Sequence, residues 1–305
     1  MQRRDILTSA AMIATAGGLA MTGAGSARAA PERKPRGPAT IETADGTQLF
    51  YSDWGSGKPV VFLHSWGVDS RMWAYQTPDL LEHGLRCISY DRRGHGRSSE
   101  PGRGYDADTL ADDLAAVMDA LDLRDATLVG HSMAGGEIVR YLSRHGSGRV
   151  AKVVLLASTT PFLLKTADNP HGVDGAMFEA VRNGWRKDFP KWIDDNIQPF
   201  FAAETSPGML KWAGDLLLHT AMPVLMECNR TTTETDYRPD LRAITTPTLV
   251  IHGDKDASAV LDLTGRPTAA LIPGAKLVVY EGAAHGLFLT HIDRLNKDLR
   301  DFIAA

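Results

Sequence analysis

Short apolar runs rich in β-branched residues recur along the chain, separated by amphipathic helical patterns. The runs are Pro59–Leu63, Cys87–Tyr90, Ala126–Val129, Val150–Leu156, Thr248–Ile251 and Leu277–Tyr280. Continuous apolar strands of this length suit burial on both faces, the situation of strands in a parallel sheet covered by helices. Between them, Asp108–Leu121 repeats apolar residues at Leu110, Leu114, Val117, Met118 and Leu121, with Asp108, Asp112 and Asp113 toward its N-terminal end. Gly135–Arg144 and Ile292–Ile303 carry similar faces. Ahead of them, Ile41–Ala44 and Gln48–Asp53 alternate and join through Asp45-Gly46, a strong hairpin signal. A hairpin followed by repeated strand–helix units predicts the α/β class: a mostly parallel, doubly wound sheet of about eight strands with right-handed crossovers.

The alternation stops between about Pro161 and Tyr237. That stretch reads as several short helices and carries Phe162, Phe178, Trp185, Phe189, Trp192, Phe200, Phe201 and Trp212. A helical insertion between two sheet strands sits beyond the strands' C-terminal ends, where open α/β sheets bind ligands. The expectation is a core of residues 41–160 and 238–305 with a helical cap over 161–237. Most of the cap aromatics then form its own core and the remainder line an apolar pocket.

Residues 1–29 read apart from the fold. Gln2-Arg3-Arg4-Asp5-Ile6-Leu7 opens a charged start, an Ala/Gly/Thr-rich apolar run follows to Gly25, and Ala27-Arg28-Ala29 closes it. This is a signal-peptide pattern, and the adjacent arginines resemble a twin-arginine signal. The expected partner is the twin-arginine export machinery, with the mature protein periplasmic or secreted and free of stable membrane association. An uncleaved anchor is the other reading of a run barely long enough to span a bilayer. Residues 30–40, rich in proline and charge, read as a linker. At 43% apolar residues, disorder is excluded, and a formal charge of −4 offers nothing to a polyphosphate, so no nucleic-acid partner is expected. Cys87 and Cys228 are expected as two buried thiols, although an oxidising compartment would permit a bridge. The ten histidines show no ligand spacing, so neither a metal nor a cofactor is expected. Self-association is left open.

The chemistry concentrates at three loops, each following a strand. Gly130-His131-Ser132-Met133-Ala134-Gly135-Gly136 places Ser132 at a sharp strand-to-helix turn, the geometry of a nucleophile elbow. Small residues at 130 and 134 let the next helix pack close, and Ala134 in place of the usual glycine predicts a slightly wider turn. A serine alkoxide needs an imidazole base, and the base needs a carboxylate to fix its tautomer. Glu281-Gly282-Ala283-Ala284-His285-Gly286 follows the last strand and makes His285 the base; His291 falls at the start of the final helix and reads as a helix-terminal hydrogen bonder. His252-Gly253-Asp254-Lys255-Asp256 follows the strand before, and its two carboxylates, Asp254 and Asp256, stand equal on spacing alone. His252, His131 and His95 read as supporting hydrogen bonders. The oxyanion hole is expected from the backbone N–H of Met133 and that of Trp66, in His64-Ser65-Trp66-Gly67 after the Pro59–Leu63 strand.

Over about Ile41 to Ile303 the chain resembles the α/β-hydrolase fold and, more narrowly, the cofactor-free bacterial haloperoxidases that are also arylesterases and perhydrolases. The resemblance rests on Asp45-Gly46-Thr47, Asp53-Trp54-Gly55-Ser56-Gly57, Asp91-Arg92-Arg93-Gly94-His95-Gly96-Arg97-Ser98, Gly135-Gly136-Glu137, Arg144-His145-Gly146 and His285-Gly286. It implies that the later aspartate, Asp256, is the acid. It implies hydrolysis of small esters, peracid formation from a carboxylic acid and hydrogen peroxide and, in some members, lactam opening; halogenation follows from the peracid and needs no haem or metal. Two departures stand out. Ser65 replaces the family's glycine, which is expected to narrow the backbone conformations near the oxyanion, and Ala257-Ser258-Ala259-Val260 replaces a β-branched residue and proline after the acid. The expected activity is cleavage of small carboxylic esters by Ser132, His285 and Asp256, with perhydrolysis or lactam opening as the alternative. A hydrolase-fold binding protein without turnover is the reading from another class, and the complete set of triad residues stands against it.

Overall fold

The computed structural model describes residues 39–202 and 204–305; the signal-peptide expectation therefore lies outside the described residues. Eight strands form one sheet: β1 (Thr40–Glu42), β2 (Gln48–Trp54), β3 (Pro59–Leu63), β4 (Arg86–Tyr90), β5 (Ala126–His131), β6 (Val150–Leu156), β7 (Thr248–Gly253) and β8 (Lys276–Tyr280). Their order is β1-β2-β4-β3-β5-β6-β7-β8. The β1–β2 and β2–β4 pairs are antiparallel, and β4-β3-β5-β6-β7-β8 run parallel. Among the described residues ten α-helices accompany them, with one 3-10 turn at Ser70–Trp73: α1 (Gln76–Glu82), α2 (Ala107–Ala120), α3 (Ala134–His145), α4 (Gly175–Phe200), α5 (Pro207–Leu218), α6 (Met222–Glu234), α7 (Arg238–Ala243), α8 (Gly265–Leu271), α9 (Leu287–Thr290) and α10 (Ile292–Ala304).

The apolar strand runs are continuous because successive residues serve opposite layers. Val61, Leu63, Leu128, Val153, Leu155 and Val250 pack with Leu114, Val117 and Met118 of α2, Ile138 and Leu142 of α3, and Leu241 of α7. Their neighbours Val60, Phe62, Val129, Val154, Leu156, Leu249 and Ile251 pack on the other face with Leu80 of α1 and Leu295, Leu299 and Ile303 of α10. Each such aliphatic contributes about 1.5–3 kcal/mol by leaving water. Asp106 caps α2, accepting the Thr109 N–H at 2.9 Å.

Helix α3 lies close against the sheet because its first turn has almost no side chains. A Cβ on Gly135 would stand 2.0 Å from Ser158 Oγ, and one on Gly136 2.6 Å from the Tyr237 ring. Ala134 fits beside Gly130, where a Cβ would meet the Ala134 carbonyl at 3.0 Å.

Between β6 and β7 the chain runs through α4 to α7. The first of them, α4, is two helical halves joined at a kink, where Asp188 leaves helical geometry at φ −163°, ψ 86°. Asp188 then accepts the Lys191 N–H at 3.0 Å, capping the second half, and Pro190 lies within that new first turn, where its missing N–H costs nothing. Both cysteines are buried and unbridged, and burial pushes each thiol up to about 12. Among the described residues no helix is long and apolar enough to cross a membrane.

The same substitution should act with opposite signs at two helical glycines. Gly135→Ala is expected to destabilise by about 1–3 kcal/mol through overpacking. Gly184→Ala, on an exposed turn of α4 with nothing within 4 Å of the new Cβ, should stabilise by about 0.5–1 kcal/mol. Denaturant midpoints of the two variants check both signs.

Candidate active site

Strand β5 ends at His131 and α3 begins at Ala134, so Ser132 must reverse the chain within one residue, which it does at φ +59°. Its N–H donates to Leu156 O at 2.9 Å, and its carbonyl accepts the Gly135 and Thr159 N–H groups at 3.1 and 3.3 Å. These bonds hold a side-chain-bearing residue in left-handed backbone and leave Oγ facing a cavity beyond the sheet.

His285 arrives from the loop after β8, and Gly286 pins that loop by donating to Phe200 O at 2.7 Å. His285 Nε2 lies 2.9 Å from Ser132 Oγ, and Nδ1 lies 2.6 Å from Asp256 Oδ2. A carboxylate only accepts, so Nδ1 carries the proton and Nε2 is free to accept from the hydroxyl. Asp256 Oδ1 takes the Ser258 and Ala259 N–H groups at 2.9 and 2.7 Å. Burial works to raise its pKa, but the charge of His285 and hydrogen bonds from His252, His285 and Ala259 outweigh it and hold the carboxyl below the usual carboxylate range. Asp254 is elsewhere: exposed, accepting the Gly282 N–H at 2.7 Å. The structure thus brings Ser132, His285 and Asp256 together and leaves Asp254 as a tie between two loops.

Of the other histidines, His131 and His252 flank this chain. His131 Nε2 lies 2.9 Å from His285 O, and His252 Nε2 lies 2.6 Å from Ala259 O and 3.3 Å from Asp256 Oδ2. His95 Nδ1 lies 2.9 Å from Arg93 O, and His291 Nδ1 lies 2.8 Å from Thr290 Oγ1 at the head of α10. Burial drives the pKa of His131, and that of His95, down to about 3.

Facing Ser132 is the loop after β3. Ser65 N–H is taken by Met72 Sδ at 3.2 Å, whereas among the described residues no acceptor takes the backbone N–H of Trp66 or of Met133. The expected narrowing at Ser65 does not arise from backbone strain, since Ser65 lies outside the left-handed region. The position that demands glycine is Gly67, at φ +71°, where a Cβ would strike Leu217 and Leu225 at 2.8 and 2.9 Å. Trp66 itself is anchored by its indole, Nε1 donating to Leu225 O at 2.9 Å and the ring lying 4.6 Å from that of Trp185.

Sequence reasoning passed over what stands behind this loop. Arg92, 1% exposed, bonds Glu137 Oε1 through Nε at 2.6 Å, His64 O through Nη2 at 2.7 Å and Ser65 O through Nη1 at 3.3 Å, while its N–H donates to His64 Nε2 at 2.8 Å. Arg93 spans Asp113 and Asp45 at 2.6 and 2.9 Å, tying the β1–β2 turn to α2. Asp91 receives Ser70 and Arg97. The arginine-rich motif is therefore the scaffold of the loop beside Ser132. Arg92 and Arg93 find their carboxylates 20 or more residues away, a pairing that no local pattern reveals.

The cavity beyond Ser132 measures about 420 Å³, and Trp66, Trp185, Trp192, Phe200 and Trp212 contribute to its walls. Among the described residues no three His, Cys, Asp or Glu side chains are grouped to hold a metal ion.

A parallel α/β sheet that presents a strained serine to a histidine from its last loop defines an enzyme of the hydrolase type. Residues 58–219 match the family described as the alpha/beta hydrolase fold, and the chain belongs to it. Among its relatives, the non-heme chloroperoxidase CPO-A1 of Kitasatospora aureofaciens is 42% identical over 269 residues, covering 86% of this chain and 98% of that protein. The bifunctional esterase/perhydrolase DCH of Acinetobacter calcoaceticus is 35% identical over 279 residues, 87% and 99% of the two chains. The crystal structure of bromoperoxidase from Bacillus anthracis superposes with a TM-score of 0.84 at 37% identity, covering 88% of this chain and all of that one.

The buried histidines carry a pH prediction. In the unfolded chain His131 and His95 take up protons near pH 6.5; in the fold they stay neutral down to about 3. Between those values the unfolded state binds more protons, so unfolding free energy should fall as the pH is lowered from about 6.5. Urea denaturation across that window should show this slope, and His131→Asn should make it shallower.

Proposed function

We propose that the protein hydrolyses small carboxylic esters through an acyl-enzyme at Ser132. His285 Nε2 takes the hydroxyl proton as Oγ attacks the ester carbon, Asp256 holds the imidazole in its Nδ1–H tautomer and stabilises the imidazolium, and the carbonyl oxygen gains negative charge. The free amides of Trp66 and Met133 receive that charge; donors of this kind are worth about 2.7–4 kcal/mol each. His285 then returns the proton to the departing alcohol. In the second half it takes a proton from water, which attacks the acyl carbon and releases the acid and Ser132. The observation that carries this reading is the unbroken chain from Oγ through the imidazole to the carboxylate, at 2.9 and 2.6 Å. A relative named for esterase activity supports it.

Relatives named for haloperoxidase and perhydrolase activity favour a second reaction on the same intermediate. If hydrogen peroxide replaces water in the second half, His285 removes its proton and the acyl group leaves as a peracid; the peracid then oxidises halide in solution. Export through the twin-arginine pathway rests on the pattern of residues 1–29; lysines in place of Arg3 and Arg4 should retain the precursor in the cytoplasm.

A fluorophosphonate probe should label the purified protein at Ser132, and Ser132→Ala should abolish labelling; an unchanged label in the variant refutes the assignment. His285→Ala should lower p-nitrophenyl acetate hydrolysis by at least about 10³-fold, because such residues act as a unit. With acetate, bromide and hydrogen peroxide, the native protein should brominate monochlorodimedone and Ser132→Ala should not.

A further inference from the structure

The cavity beside Ser132, about 420 Å³, falls in the range of about 300–1,000 Å³ that accommodates drug-sized ligands, and an acetyl ester fills little of it. Most of its wall is apolar, with Trp185, Trp192 and Phe200 of α4 and Trp212 of α5. Asn196 of α4, Thr159, Ser258 and, on α6, Asn229, Thr232 and Thr233 interrupt that wall, and Asn196 donates Nδ2–H to Trp192 O at 2.7 Å. Asn229 lies four residues after Leu225, whose carbonyl anchors the Trp66 indole, hence on the same helix face and about 6 Å further along the axis.

The Asn229 amide is oriented by a buried cation. Arg182, 2% exposed, donates Nη1–H to Asn229 Oδ1 at 2.8 Å. This spends the amide oxygen, and among the described residues no acceptor takes the Nδ2 hydrogens. The adjacent hydroxyls are spent as donors: Thr232 donates to Cys228 O at 2.8 Å and Thr233 to Asn229 O at 2.9 Å. Arg182 is itself matched by Glu179 at 2.8 Å and Glu234 at 3.4 Å, so no net positive charge is left for an anion. On the α6 side of the wall, the group left without a partner is therefore the neutral Nδ2 donor of Asn229, and a ligand that satisfies it carries a neutral acceptor oxygen.

We propose that Asn229 is a specificity-determining residue, and that the preferred substrates are esters whose bulky apolar part bears a carbonyl oxygen remote from the scissile bond. The proposal rests on the acyl-enzyme reading above. A purely structural role for Asn229, tying α6 to α4 through Arg182, makes a different prediction. Asn229→Asp keeps an oxygen on Arg182 and presents an acceptor to the cavity in place of the donor, so it preserves the tie and removes the recognition.

The test compares kcat/KM for two substrate series: p-nitrophenyl esters of straight-chain acids with a ketone at the fourth to the seventh carbon, and acetates of alcohols bearing the ketone at the same positions. Each is paired with a counterpart in which a methyl branch replaces the ketone oxygen. In the native protein at least one ketone ester should exceed its branched partner by about tenfold, the worth of a well-formed hydrogen bond. In Asn229→Asp that ratio should fall to about one, and Asn229→Leu should behave alike where it folds. Native ratios near one throughout both series, or a ratio that survives Asn229→Asp, overturn the proposal and leave the acyl-enzyme reading intact. Absence of turnover of every ester, together with absence of fluorophosphonate labelling at Ser132, overturns both.

Discussion

Ser132 occupies backbone conformations that side chains avoid, at a cost of order 1–3 kcal/mol, and the surrounding structure holds it there. The Leu156 carbonyl fixes its N–H, two further amides fix its carbonyl, and the bare first turn of α3 lets that helix lie against β6 and Tyr237. Relaxing the turn would point Oγ away from His285 and pull α3 off the sheet. The strain and the close helix packing are two sides of one arrangement. The same residue positions that support a hydroxyl facing the cavity also seal the core beneath it.

A second set of constraints lies behind the loop that faces Ser132. Arg92 and Glu137, both almost fully buried, place an ion pair directly behind the loop that carries Trp66. Burial by itself would lower the Arg92 pKa, but the Glu137 charge and hydrogen bond, together with the neighbouring Cys228 and Tyr90, more than offset it and keep the guanidinium charged. Removing one member of such a pair costs far more than the pair contributes, since a lone charge is left without water. Its visible product is geometric: three of the guanidinium's bonds end on His64 and Ser65, the residues that set where the Trp66 amide faces.

The helices between β6 and β7 bring chemistry of another kind. Trp66 belongs to the sheet's loops, yet its indole bonds to α6 and its ring meets Trp185, Phe189 and Trp192 of α4. The wall of the cavity and the loop that carries Trp66 are therefore one packed unit. Gly286 N–H on Phe200 O does the same for the His285 loop. Side chains of α4 and α6 can therefore affect both binding and the placement of reacting groups.

Local sequence was sufficient for everything that depends on short-range period and residue size. The strands were legible because burial on both faces leaves no polar interruption, and two runs, Pro59–Leu63 and Val150–Leu156, have the same bounds in the structure. The turn at Ser132 was legible because its small neighbours are adjacent in the chain. Spacing alone could not separate Asp254 from Asp256, since both follow the same strand. Tertiary structure parts them: the backbone amides of Asp254 and Lys255 still bond to Tyr280 and Ala283, holding Asp254 at the surface, and the chain then turns Asp256 inward to His285. The partners of Arg92, Arg93 and Asn229 were equally hidden, because each lies on a separate element and only the folded path brings them within reach. Sequence determined the sheet, the turn and the residue types for acyl transfer. Only the fold decided which carboxylate meets the imidazole and what the cavity presents, because those depend on contacts between segments with no shared local pattern.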